Sequence, residues 1–426
     1  MSDLSRNTRS GFAALGLAPV GAQAAVAIGW VTPTAIQTAV LPAALDGRDV
    51  LGLAPTGSGK TAAFLLPLLQ RVLADPQVLD DRSRTPRALV LAPTRELAAQ
   101  IGVRARSLAP QIKTVVAVGG VAMDAQKIAL SGGAHLVVAT PGRLRDLVEQ
   151  KTLQLSTVSV LVFDEADRLL DLGFADEINA LLALLPVRRQ TLMFSATMPD
   201  AVAALAEQVL HKPLRCEISG VDGPSAPLIR QRVIAVDTAR RTMLLRHLIA
   251  TEGWDRVLVF VATQYAAEHV AEKLQRAGVA AAAFHGQLSQ GRRTQVLADF
   301  HDHRLTVLVA TDLAARGIDV SQLAAVVNYD LPRSAVDYTH RIGRTGRAGE
   351  HGVAMSFLCA DAPGSDAHFC LIEKRLKQSL PRGQVSGFEP VALPVPATPH
   401  DGTGGIKGRR KSKKDKLRET AAGLYH

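Results

Sequence analysis

Short runs of Val, Leu and Ile recur along the chain, and between them hydrophobic positions return every three or four residues. Seven runs stand out, at residues 49–53, 87–91, 158–163, 191–194, 256–260, 306–310 and 325–328. A strand that is apolar at nearly every position has no solvent face, so these runs predict strands covered by helices on both sides. That is the parallel sheet of an α/β fold. Polar residues follow the runs: Thr56 to Thr61, Thr94-Arg95-Glu96, Asp164-Glu165, Ser195, Thr311-Asp312. Ligands in open α/β sheets sit at the carboxyl ends of the strands, so these clusters are candidate site residues rather than solvated loops.

The pattern breaks at Gly220-Val221-Asp222-Gly223-Pro224, where Gly and Pro suppress both helix and strand. The 426 residues thus divide into residues 1–218, a linker at 219–228 and residues 229–380. Beyond 380 the periodicity stops, and residues 381–426 are expected to be a disordered basic tail.

Composition narrows the function classes. Hydrophobic residues make up 47% and charged residues 21%, enough for two buried sheets, and the formal net charge of +10 proposes a polyanionic partner. Cys216, Cys359 and Cys370 are too widely spaced for a disulfide framework or a zinc site, and a reducing, cytoplasmic setting is expected. Arg6 and Arg9 precede a small apolar stretch, and Ala22-Gln23-Ala24 resembles a signal-peptidase site. Gly16, Pro19 and Gly21 interrupt that stretch, so export is not expected, and no run is long enough to span a bilayer.

Three segments carry recognisable chemistry. Ala54-Pro55-Thr56-Gly57-Ser58-Gly59-Lys60-Thr61 joins a strand to the helical pattern of Ala62 to Leu73. In such a phosphate loop, backbone N–H groups wrap the phosphates, Lys60 reaches the β and γ phosphates of ATP, and the Thr61 hydroxyl ligates Mg2+. Asp164-Glu165-Ala166-Asp167 follows an apolar strand. Alone, it also fits a helix N-terminus; beside a phosphate loop, Asp164 is placed to hold the metal and Glu165 to deprotonate an attacking water. His340-Arg341-Ile342-Gly343-Arg344-Thr345-Gly346-Arg347 alone could be a basic turn; opposite a phosphate loop, Arg344 and Arg347 become candidate arginine fingers. Since they lie in the other half, hydrolysis would require closure.

Taken in order, these residues resemble the DEAD-box RNA helicases across about residues 12–375. The set includes Phe12, Pro33 to Gln37, the phosphate loop, Pro93 to Leu97, Gly119-Gly120, Thr140 to Arg143, Asp164 to Asp167 and Ser195-Ala196-Thr197. It continues with Val259 to Val261, Gln290 to Arg293, Thr311-Asp312 through Asp319, and His340 to Arg347. The resemblance implies two tandem RecA-like domains, the first opening with a Q motif over residues 12–37, and an ATP hydrolase that unwinds short RNA duplexes. It further implies that Gln37 reads adenine with Phe12 stacked on the base, and that Gly317 and Asp319 hold the nucleotide from the second half. Ser195 and Thr197 would couple hydrolysis to RNA work, and His340 would bridge to the acidic motif.

The same resemblance places RNA against Pro93, Thr94, Arg95, Gly119, Gly120, Thr140, Pro141, Gly142, Arg143, Gln290, Arg293, Thr311 and Asp312. Aromatic residues are 4% of the chain, so backbone and 2′-hydroxyl contacts are expected to outweigh base stacking. A monomer is expected, with ribosome-assembly or RNA-decay proteins as candidate partners. Ala54, Ala35, Trp30, Pro55 and Ala262 depart from the common family pattern, and none removes a side chain given a ligand role.

Eight Lys and Arg residues crowd positions 407–418, where a tethered cation would raise the local concentration of RNA. Deleting residues 400–426 is expected to weaken RNA binding and flatten its salt dependence while sparing basal ATP hydrolysis. The slope of log K against log[salt] checks this; an unchanged slope refutes it.

Overall fold

The computed structural model describes residues 11–55, 57–79, 85–218, 229–315, 323–346 and 352–391. Among them are two seven-stranded parallel sheets. The first contains β1 (Val50–Leu53), β2 (Ala88–Leu91), β3 (Thr114–Ala117), β4 (Leu136–Ala139), β5 (Val160–Phe163), β6 (Gln190–Ser195) and β7 (Leu214–Glu217), in the order β3-β4-β2-β5-β6-β1-β7. The second contains β8 (Ile229–Val236), β9 (Val257–Val261), β10 (Ala281–Phe284), β11 (Val307–Thr311), β12 (Ala325–Asn328), β13 (Gly352–Cys359) and β14 (Arg382–Gly383), in the order β10-β11-β9-β12-β13-β8-β14.

Strand periodicity assigns the side chains to two cores in the first half and three apolar clusters in the second. In β5, Val160 and Val162 join the cluster of Ile36, Phe64 and Ile101, while Leu161 and Phe163 face Leu144, Leu169 and Ile178 on the other side. The central strands are therefore buried at every position, as the apolar runs required. Phe64 and Phe194 meet with ring centroids 5.6 Å apart, and Gly52 on β1 makes room, since a Cβ there would come within 2.7 Å of the Phe194 ring. Burying a phenylalanine of this kind is worth roughly 1.5–3 kcal/mol.

All seven expected runs form strands; β4, which is not among them, is as apolar as they are, and several of the others are less apolar or less typical of strands. Edge strand β7 alternates exposed Arg215 and Glu217 with half-buried Leu214 and Cys216. β8 carries Arg230 and Arg232, and β10 is three alanines and a phenylalanine, a composition with low strand propensity outside its sheet.

One expectation about the ends of the chain changes, at the C-terminal side. Ala22-Gln23-Ala24 lies inside the helix Pro19–Ala27, with Ala22 and Ala25 in the first core. Residues 381–391, expected to begin a disordered tail, are ordered. β14 pairs with β8, and Arg382 bonds Glu373 Oε1 at 2.7 Å and Asp366 Oδ1 at 3.0 Å. Val385 and Phe388 pack against the cluster of Ile234, Leu244 and Phe357 in the second half, and Val391 N–H donates to Asp237. Ion pairs and one aromatic ring hold this strap, which is why hydrophobic periodicity did not show it. Residues 392–426 and the linker at 219–228 lie outside the described residues.

Candidate active site

The strand order puts the phosphate loop and the acidic quartet side by side. β5, β6 and β1 are consecutive in the sheet, so Asp164, Ser195 and Ala54 leave it at one edge. The root of the loop is bonded to that edge by Ala54 N–H on Ser195 O at 3.1 Å. Gly57 (φ 88°) and Gly59 (φ 96°) turn the loop through left-handed conformations, and the helix Lys60–Leu73 begins immediately. A side chain at Gly59 would also collide with Gln37.

Lys60 is buried and folds back on the loop, its Nζ donating to Ala54 O at 2.5 Å and Pro55 O at 3.4 Å. Burial pushes its pKa down, against the opposing pull of Asp164, Glu165 and Asp167. Asp164 is pushed up to about 7, first by burial and then by the neighbouring Glu165, with Lys60 and the Glu165 N–H acting the other way. A buried lysine and a buried carboxylate whose pKa is raised, at one sheet edge, suit an incoming anion carrying a cation.

Glu165 occupies a left-handed conformation (φ 51°) as the residue before the helix Ala166–Asp171. For a non-glycine residue this costs energy, and it places the side chain at the edge rather than along the helix. Its Oε2 lies 3.4 Å from Arg168 Nε and accepts no hydrogen bond, an acceptor left available for a water. Asp167 has a different task. Its Oδ2 accepts from Thr197 N at 3.0 Å and Thr197 Oγ1 at 2.8 Å, and its own N–H donates to Ser195 Oγ at 3.2 Å. Ser195 Oγ in turn donates to Thr197 O at 2.7 Å. The acidic motif and Ser195-Ala196-Thr197 are thus one hydrogen-bonded unit, a physical basis for coupling.

Of the two residues assigned to adenine, Phe12 stands elsewhere than expected, while Gln37 lies beside the phosphate loop. Phe12 is 2% exposed and packs in the first core, so its ring offers no open stacking face. Gln37 Oε1 accepts from Thr34 N–H at 2.9 Å, and its Nε2 donates to Gly59 O at 2.9 Å. The amide thereby braces the phosphate loop and closes the capping box of the helix Ala35–Leu45, leaving one N–H and one lone pair for a base. Trp30, half-buried under the Arg104 guanidinium 5.7 Å from its ring, is the more open aromatic of that segment.

The second half reaches the first through a small cavity lined by Arg168 of the first half and by Phe260, Asp312, Asp337, His340, Arg341 and Arg344. Arg344 and His340 are both buried, and they line this cavity together with Arg168, the residue that follows the acidic motif. Arg341, given no role from sequence, is a structural clamp. It pairs with both oxygens of Asp312 at 2.6 and 2.7 Å and donates to Asn328 Oδ1 at 3.0 Å and Asp330 O at 2.7 Å. Thr56, Gly317, Asp319 and Arg347 lie outside the described residues.

Of the residues assigned to RNA, the first-half set converges at the ends of β2, β3 and β4. The Arg95 guanidinium lies against Gly119 and Gly120, where a side chain would displace it, and Arg143 Nη1 donates to Val121 O at 3.0 Å. Thr94 caps the helix Arg95–Leu108, and Thr140 precedes Pro141 and Gly142 in the helix Pro141–Glu149, so two helix N-termini open on this surface. In the second half, Gln290 and Thr311 sit at the corresponding edge.

Two members of the set are otherwise engaged. Arg293 crosses to Glu96 of the first half, with Nη2–Oε1 at 2.6 Å and Nε–Oε1 at 2.9 Å, its ring neighbour being Phe284. It holds the halves together instead of a phosphate. The Asp312 carboxylate is occupied by Arg341 and, being an anion, would repel RNA.

Comparison with known proteins agrees with this geometry. The DEAD/DEAH box helicase model matches residues 34–205, and the helicase conserved C-terminal domain model matches residues 240–349. The chain is 39% identical over 412 residues to the pre-mRNA-splicing ATP-dependent RNA helicase PRP28 of Phaeosphaeria nodorum, with 91% of this chain and 54% of that protein covered. It is 41% identical over 383 residues to the ATP-dependent RNA helicase DeaD of Mycobacterium tuberculosis, covering 89% and 66%. The chain therefore spans 54% and 66% of these two relatives. Its fold matches that of S. cerevisiae Dbp5 bound to RNA and ADP BeF3 with a TM-score of 0.78 at 32% identity, over 88% of this chain and 96% of that one.

Proposed function

The chain belongs to the DEAD-box family of RNA helicases, and from that premise we propose that it is an RNA-stimulated ATPase whose two halves close on ATP and RNA together. Closure bends one strand and pries a short RNA duplex apart, or displaces a protein from RNA; hydrolysis resets the clamp. The observation that carries this reading is the shared cavity in which Arg168 meets His340, Arg341 and Arg344. A catalytic arginine supplied by the opposite half makes hydrolysis conditional on closure. The likeness to a relative bound to RNA and ADP BeF3 supports the closed arrangement.

Each residue then has a task. Lys60 swings from the loop carbonyls to the phosphates, Glu165 takes a proton from the attacking water, and Arg344 stabilises charge developing on the transferred phosphoryl group. Thr61 and Asp164 would hold Mg2+, a hard cation suited to oxygen ligands, which would supply charge neutralisation at the phosphates when bound. Free thiols at Cys216, Cys359 and Cys370 support a cytoplasmic setting.

A gel assay with a short RNA duplex, an all-DNA duplex, and ATP or a non-hydrolysable analogue tests the function. RNA strands should separate with ATP; release of DNA alone would overturn the substrate assignment.

The raised pKa of Asp164 also fixes a sign. Its proton is held below about pH 7, and only the carboxylate binds the cation. The affinity for magnesium nucleotide should therefore fall on acidification, by up to about tenfold per pH unit well below that value. Titration of a fluorescent ATP analogue at pH 6 and pH 8 checks it, and Asp164→Asn should flatten the dependence.

A further inference from the structure

Few residues in this chain are aromatic, yet Tyr265 is 77% exposed at the carboxyl edge of the second sheet. A lone exposed tyrosine is ordinary; the surroundings of this one are not.

Strand register places it beside the expected RNA path. Val261, the last residue of β9, pairs with Thr311 at the end of β11, and Thr263 caps the helix Gln264–Arg276 that carries Tyr265 in its first turn. The ring is already ordered. Tyr265 and His269, one turn apart, stack with centroids at 5.7 Å and planes 11° apart, so one face is covered and the other is open. A ring held this way loses less freedom when something stacks on its open face.

The same helix is tied to the neighbouring connection by Glu268, whose Oε1 lies 2.6 Å from His285 Nε2. His285 Nδ1 and the nearby Gln290 Oε1 are buried polar atoms with no hydrogen-bond partner in the protein, although His285 is only 5% exposed. Buried atoms of this kind are satisfied by an internal water, so they bear on how this connection is held beside the helix of Tyr265 and not on a direct contact with RNA.

We propose that Tyr265, backed by His269, is a stacking platform for one unpaired nucleobase of the RNA strand where it crosses the second half. The inference rests on the helicase reading and adds to it a base contact that the family resemblance did not assign. The platform accepts any base, since every base has a π face, but it requires that base to be unpaired and turned toward the protein.

A short single-stranded RNA carrying 2-aminopurine at successive positions tests this in the full chain with a non-hydrolysable ATP analogue. Fluorescence should be quenched at one position. Tyr265→Ala should abolish that quenching and weaken binding roughly tenfold, whereas Tyr265→Phe should keep both. An abasic nucleotide at the quenched position should weaken the wild type by the same factor and leave Tyr265→Ala no weaker than before. The side chain is exposed, so both variants should melt with the wild type. Unchanged affinity and quenching in Tyr265→Ala, or a loss in Tyr265→Phe equal to that in Tyr265→Ala, overturns the platform alone. Failure of the wild type to bind RNA overturns the platform and the helicase reading together.

Discussion

Glu165→Gln should bind ATP and RNA as the wild type does and yet hydrolyse about 10²- to 10⁴-fold more slowly, the usual contribution of a positioned general base. The substitution preserves volume and hydrogen-bonding reach, so the left-handed turn at residue 165 and the helix it opens should persist. What it removes is the basic oxygen. Glu165 Oε2 accepts no hydrogen bond from the protein, while both Asp167 carboxylate oxygens are engaged, Oδ2 by Thr197 and Oδ1 by the Arg168 N–H. Of the two, only Glu165 has an oxygen available to receive a proton. Single-turnover hydrolysis measured beside equilibrium RNA binding separates chemistry from closure; the variant should accumulate as a long-lived complex with ATP and RNA. Wild-type turnover in this variant would remove Glu165 from the mechanism.

Arg344→Ala should lower the rate of RNA-stimulated hydrolysis by about 10³-fold or more, the range found for arginine fingers. Nucleotide affinity of the first half should change little, since Lys60 and the phosphate loop stay intact. Lysine should not rescue, because a point charge does not reproduce a planar fork of donors. The adjacent Arg341 is the control. It holds Asp312, Asn328 and Asp330 by four hydrogen bonds, so Arg341→Ala should destabilise the second half by about 3 kcal/mol, visible as a lowered melting temperature. Two neighbouring arginines should thus fail in different ways, one in rate with the fold intact and one in stability. If Arg344→Ala kept full turnover, no trans-acting arginine at that position would be required.

Much of this was legible beforehand because the signals are local. An apolar run with no polar alternation has to be buried on both faces, which identified the strands at the centre of each sheet. A glycine turn between strand and helix, ending in Lys-Thr, has one efficient use. The strands at the margins were less legible, because β7 and β10 become strands by pairing with neighbours rather than by their own preference. The strap at residues 381–391 was hidden for a related reason: the anchors of Arg382 on Glu373 and Asp366 join parts of the chain that no periodicity connects.

Site roles divide the same way. Lys60, Asp164 and Glu165 could be assigned from residue type and position at a strand end, and the structure puts them at one edge. Phe12, Arg293 and Asp312 could not, since their chemistry admits several partners. A phenylalanine serves as well in a core as under a base, and an arginine binds a carboxylate as readily as a phosphate. Phe12 fell into the first core, Arg293 found Glu96 in the other half, and Asp312 was taken by Arg341.

By itself, then, the order of residues determined the fold class and the two halves, and pointed to the edge of the first sheet as the nucleotide end. Each of these follows from short-range pattern, namely burial period and the turn a glycine permits. Which cation faces which anion was decided only when two sheets came together, because a charge pair depends on distances that chain separation does not encode. The interlobe bond of Arg293, the clamp of Arg341 and the open face of Tyr265 all belong to that second class.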